Sequence, residues 1–136
     1  MAEKISRFED LIAWQKARAF CSNVHRLTAA GRLEKNYGFR DQIQRAAVSI
    51  MSNLAEGFDR ASRKEFHKFI VVAKGSCAEV RSLLYVALNA GLVSKEDYLA
   101  AMRDAQELAR ILAGLRSAVS RQIFTTKVKE GGNART

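Results

Sequence analysis

Residues 62–91 read SRKEFHKFIVVAKGSCAEVRSLLYVALNAG, and their spacing decides the fold. Ser62 and Glu65 form a capping box, in which a hydroxyl and a carboxylate each satisfy an orphan backbone N–H at a helix start. Phe66, Phe69, Ile70, Ala73, Cys77, Val80, Leu84 and Ala87 then recur at helical spacing and form one apolar face. Gly91 follows as a C-terminal stop. Val71, Val72, Leu83 and Tyr85 fall off that face. A helix that is apolar beyond one stripe is often covered twice, by its own bundle and by another subunit.

Working outward, the same periodicity appears three more times. Upstream, Ile43, Ala46, Ala47, Ile50, Leu54 and Phe58 place a helix over about Phe39 to Phe58. Before it, Ala17, Phe20, Cys21, Val24 and Leu27 mark a helix over about Phe8 to Thr28, ended by a polar loop with Gly31. Phe8, Leu11 and Ile12 fall on another side of that helix, so its first turns are expected to touch something besides the core. Downstream, Ser94 and Asp97 open a helix to about Thr126, with Tyr98, Met102, Ala105, Ala109, Leu112, Val119 and Ile123 as its stripe and Leu108 and Leu115 beside it. Proline is absent, which favours long helices. The expectation is an all-α, antiparallel up-down-up-down four-helix bundle over residues 1–126, followed by a basic, disordered tail over 127–136.

Bulk composition narrows the function. The chain has 136 residues, 48% of them apolar, enough for one domain with a real core. Two cysteines exclude a disulfide scaffold and suit a reducing cytoplasm. No run approaches the ~20 apolar residues of a membrane span, and the N-terminus lacks a signal-peptide core. The formal charge is +9, from 23 Lys and Arg against 14 Asp and Glu. That excess favours polyanionic partners, RNA or DNA first and an anionic membrane surface second.

Enzyme chemistry finds no support. There is no glycine-rich phosphate loop, Gly-x-Ser-x-Gly or His-Glu-x-x-His. His25 and His67 lack the Glu three residues earlier that a di-iron bundle needs. Cys21 and His25 offer two metal ligands at most, and Cys21 suits a core position. No catalytic residue, metal or cofactor is expected.

Three blocks resemble a known family. They are Phe8-Glu9-Asp10-Leu11 with Trp14-Gln15-Lys16-Ala17; Tyr37-Gly38 with Gln42 to Ile50 and Ser52-Asn53-Leu54-Ala55-Glu56-Gly57; and Arg60, Phe66, Phe69, Ala73-Lys74-Gly75-Ser76 and Glu79. Over residues 8 to about 115 they resemble the four-helix-bundle proteins encoded by intervening sequences of bacterial large-subunit rRNA genes. These are related to the accessory variability determinant proteins of diversity-generating retroelements. The resemblance implies a bundle assembled as a homopentameric ring that binds nucleic acid without catalysis. In the retroelement branch it implies an adaptor for a reverse transcriptase and its template RNA. A third expectation is a structural remnant of a mobile element with no selected binding role. Met51 stands where the family commonly has proline, which would kink the second helix.

Two groups of residues are candidate sites. Gln42, Arg45, Ser49, Ser52 and Glu56 make a polar stripe, with Asn53 beside it. It is expected as a hydrogen-bonded seam between subunits, the plain alternative being a solvated face. Gly75 lies opposite its helix's core stripe, where a neighbouring backbone can approach. The second group is basic. Between Arg60 and Arg81 stand Arg60, Arg63, Lys64, Lys68, Lys74 and Arg81 against Glu65 and Glu79. Arg103, Arg110, Arg116 and Arg121 follow on the last helix, continued by Lys127 and Lys129. Phosphate contacts from these residues would be sequence-independent and salt-sensitive, with Trp14 and Tyr37 as candidate stacking platforms.

Overall fold

A computed structural model describes residues 4–60 and 62–134, with side chains described as far as Ile123. Four long helices carry the fold: α1 (Ile12–Thr28), α3 (Tyr37–Asp59), α4 (Arg63–Asn89) and α5 (Lys95–Ala134), with a short α2 (Gly31–Lys35) between the first two. No strand occurs among the described residues. Helix α3 packs on α4, α4 on α5, and α1 on both α3 and α5, which closes one core.

The N-caps form, but of the two bonds expected of the Ser62–Glu65 box only the hydroxyl's occurs among the described residues, the Glu65 carboxylate meeting Lys68 instead. Ser62 Oγ accepts the Glu65 N–H at 3.1 Å, and Ser94 Oγ accepts the Asp97 N–H at 3.1 Å. At the end of α4, Gly91 adopts a left-handed φ of 69°. The Gly91 N–H then reaches Leu88 O at 3.1 Å and the Leu92 N–H reaches Ala87 O at 2.8 Å, the paired bonds of a Schellman turn. With Met51 in place of proline, α3 continues unbroken from Tyr37 to Asp59. Helix α5 is assigned to Ala134, past the expected Thr126; Lys127, Lys129 and the rest of the tail lie outside the residues whose side chains are described.

Three expectations are corrected. The chain does not enter α1 as a helix at Phe8: Phe8–Asp10 is a single 3₁₀ turn, and Leu11 is extended. The 100° spacing therefore fails across the junction, and Leu11 is buried in the common core while Ile12 is exposed. The loop at Gly31 contains α2, whose Leu33 is fully buried. Leu83, expected off the core face of α4, is buried, because the packing of α3 on one flank of α4 widens the covered stripe. Val71, Val72 and Tyr85 do stay exposed.

Polar groups inside are satisfied locally. Thr28 is fully buried; its hydroxyl donates to Val24 O at 2.9 Å and accepts from Gln44 Nε2 at 2.8 Å, tying α1 to α3. Both cysteines are free and buried. Burial raises the pKa of each thiol, with the nearby Arg81 charge opposing part of the rise at Cys77. Cys77 Sγ lies 3.5 Å from Ala105 O on α5.

Candidate nucleic-acid interface

The corner between α3 and α4 positions the first basic group. Helix α3 stops at Asp59, and Arg60 is extended with its N–H on Gly57 O at 3.2 Å. The turn is tight because Gly57 lies directly against α4. A Cβ at Gly57 would stand 2.4 Å from Phe69 Cβ and 3.3 Å from Phe66 Cδ1. Arg60 reaches back to Glu56 at 3.1 Å and lies over the Phe69 ring at 5.3 Å. Lys68 pairs with Glu65 at 3.5 Å. Both pairs are solvated and hold little energy, a few tenths of a kcal/mol (~0.3–0.5) in such i,i+3 and i,i+4 geometry.

The remaining cations are uncompensated. Among the described residues, Arg63, Lys64, Lys74, Arg103, Arg110, Arg116 and Arg121 form no ion pair and no hydrogen bond. All are exposed except the half-buried Lys74.

The structure brings some of these residues together and separates others. Arg60 and Arg63 share a pocket with Leu115, Ala118 and Val119 of α5, so they sit at the same end of the bundle as Arg116 and Arg121. Arg116 and Arg121 themselves flank a polar groove with Ser117 and Ser120. Lys74, Arg103 and Arg110 stand apart from this end. At 100° per residue Arg103, Arg110 and Arg121 lie within about 20° of one line along α5, whereas Arg116 is about 140° away. Lys4, which joins Arg60 and Arg63 at the pocket, carried no signal in the sequence, since it lies far from them in the chain.

The two candidate stacking aromatics differ. Trp14 is half-buried against Phe8, with ring centroids 5.1 Å apart, so it is a packing residue. Tyr37 is 64% exposed with the Arg40 guanidinium 4.9 Å from its ring.

The polar stripe on α3 divides in two. Ser49 Oγ, at the edge of an open groove, lies 2.8 Å from Ser76 Oγ of α4, and Asn53 Nδ2 donates to Ser49 O at 2.8 Å within α3. Gln42, Arg45, Ser52 and Glu56 remain exposed. Gln42 and Arg45 line an open groove of about 570 Å³ whose far side is Ser76 and Glu79. A Cβ added at Gly75 would meet nothing within 4 Å, and Val48, Val72 and Val86 are exposed on the two helices that border the groove. No group of three His, Cys, Asp or Glu placed to hold a metal ion occurs among the described residues. No helix among them is long and apolar enough to cross a membrane.

These features define a class: a helical bundle with a cation-rich end and a partly uncovered α3–α4 face. The chain belongs to the 23S rRNA-intervening sequence protein family, whose sequence pattern matches residues 9–114. Among solved structures it is similar to a protein of unknown function from the S23 ribosomal protein family of Bacteroides thetaiotaomicron VPI-5482. The two share 20% identity over 78% of this chain and 96% of that chain, with a TM-score of 0.71, a likeness of fold. A search among curated proteins finds no match.

Proposed function

We propose that this protein is a non-enzymatic homo-oligomer that binds structured RNA or DNA with little sequence preference. The uncompensated cations carry the reading: seven Lys and Arg without partners among the described residues, on a chain of net charge +9. A cation that neutralises a phosphate releases the nucleic acid's condensed counterions, and the weak solvated pairs of Arg60 and Lys68 exchange for phosphate at little cost.

The test is binding of a structured RNA and a duplex DNA at two salt concentrations. Tight binding that weakens steeply with salt is expected. Replacing Arg60, Arg63, Lys64 and Lys68 together by Gln should weaken it at least about tenfold and flatten the salt slope by up to about 0.9 per lost phosphate contact. Equal slopes for the variant and the parent would remove this corner from the interface. Absence of binding at low salt would remove the function, and the charge would then serve a protein partner such as a reverse transcriptase.

The assembly is part of the same reading: an antiparallel up-down-up-down bundle arranged in a ring, with five copies as the family resemblance implies. Residue numbers that rise along α3 meet numbers that fall along α4, as at Ser49 with Ser76 and Gly57 with Phe69, which supports the antiparallel order. The exposed valines and the open space at Gly75 favour the α3–α4 face as the contact between copies. Gly75→Leu should reduce the oligomer mass seen by light scattering while leaving the helical circular dichroism intact. An unchanged mass would place the contact elsewhere. The two free thiols suit a cytoplasmic site of action.

A further inference from the structure

The cation-rich end of the bundle holds a cavity of about 420 Å³. Its walls are apolar, with Phe58 from the end of α3, Phe66 from the first turns of α4, and Leu115 and Val119 from α5. The Phe58 and Phe66 rings meet edge to face, 5.6 Å between centroids, which fixes one wall. Lys4, Arg60 and Arg63 line the same cavity, Arg60 also holding Glu56 at 3.1 Å, and among the described residues no Asp or Glu lines it. Ser62, the N-cap of α4, is also at its edge, so the positive end of a 27-residue helix opens beside it.

An apolar slot bordered by three cations, of which only Arg60 holds a carboxylate, selects an occupant with a flat apolar body and an attached anion. We propose that it receives one unpaired nucleotide, the base between the apolar walls and its phosphate among Lys4, Arg60 and Arg63. The volume lies within the range of small-molecule sites, about 300–1,000 Å³. Every base has a π face, so a phenylalanine-walled slot accepts any of them, which suits sequence-tolerant binding. Arg116 and Arg121 lie on the same turns of α5, each about 110° round the helix from the cavity residues and on opposite flanks, both without partners among the described residues. The proposal rests on the nucleic-acid reading above and adds to it a preference for unpaired over fully paired strands.

The experiment uses the full chain with a single-stranded oligoribonucleotide containing one 2-aminopurine, a blunt duplex of the same length, and adenosine 5′-monophosphate. Binding is followed by anisotropy and base environment by 2-aminopurine emission. The single strand should bind more tightly than the duplex and change its emission on binding. Ala118→Trp fills the cavity while keeping every charge. It should weaken the single strand at least about tenfold, the size of one lost stacking contact, and leave the duplex nearly unchanged. Arg63→Gln, at an exposed position without an ion pair or hydrogen bond among the described residues, should weaken adenosine 5′-monophosphate binding and keeps the test open should Ala118→Trp not fold. Equal affinity for both strands with unchanged emission would overturn the pocket while nucleic-acid binding stands. Failure of both strands to bind at low salt would overturn both. Saturable binding of N-acetyl-phenylalanyl-glutamate at the cavity residues, with none by adenosine 5′-monophosphate, would overturn it in favour of an acidic peptide.

Discussion

Gly57→Ala is expected to lower the thermal midpoint by roughly 6–10 °C, about 2 kcal/mol for a domain of this size. Alanine normally stabilises a helix over glycine by about 1 kcal/mol. At Gly57 that gain is outweighed, because the new methyl would sit 2.4 Å from Phe69 Cβ and 2.9 Å from Phe69 Cγ. A Cβ atom is fixed to its own backbone and cannot swing aside, so α3 and α4 must separate at their junction. The overpacking cost is about 3 kcal/mol before the helical gain is subtracted. Gly114 in α5 is the control, since a Cβ there meets nothing within 4 Å. Gly114→Ala should melt slightly higher than the parent. A Gly57→Ala protein that melts at or above the parent would show that the junction is looser than these distances require.

Leu84→Ala should cost about 3 kcal/mol, within the 2–5 kcal/mol usual for such core truncations. Leu84 is fully buried, 0% exposed, in the common core. Leu99, at 48% exposed, offers the same substitution without a cavity and should lose under about 1 kcal/mol. Urea unfolding at one fixed protein concentration checks both, because the association proposed above would make stability concentration-dependent. A shifted midpoint with an unchanged slope is expected. Equal losses at the two positions would contradict the burial pattern.

The four long helices were legible because independent local signals agree. The period places Ile43 to Leu54 and Phe66 to Ala87 in the core, Ser62 and Ser94 cap their helices, and Gly91 ends one. The misses occur where a local rule meets tertiary geometry. Leu11 is buried because the chain is extended at that residue, which breaks the helical phase that would have put it elsewhere. Leu33 lies in a one-turn helix too short for any period to reveal. Leu83 is buried by the position of a neighbouring helix, which spacing within α4 cannot report.

The basic residues were legible as a composition and the site was not. Arg60, Arg63 and Lys64 are adjacent in the chain, so their clustering could be read directly. The cavity they border is assembled from residue 4, residues 58–66 and residues 115–122, which no local pattern joins. The α3 stripe shows the opposite case. Spacing placed Gln42, Arg45, Ser52 and Glu56 on one exposed face, but could not report that Ser49 also meets Ser76 across the α3–α4 contact, where a small polar side chain satisfies the nearest partner.

The sealed thiols have a practical consequence for labelling. Cys21 and Cys77 are both buried with raised pKa values, so little thiolate is present at neutral pH and maleimides should react with them slowly in the folded state. The native chain is thus close to a cysteine-free background. One cysteine introduced at exposed Ser120, beside Arg121, would take a fluorophore selectively and report from the cation-rich end of the bundle without removing either native residue.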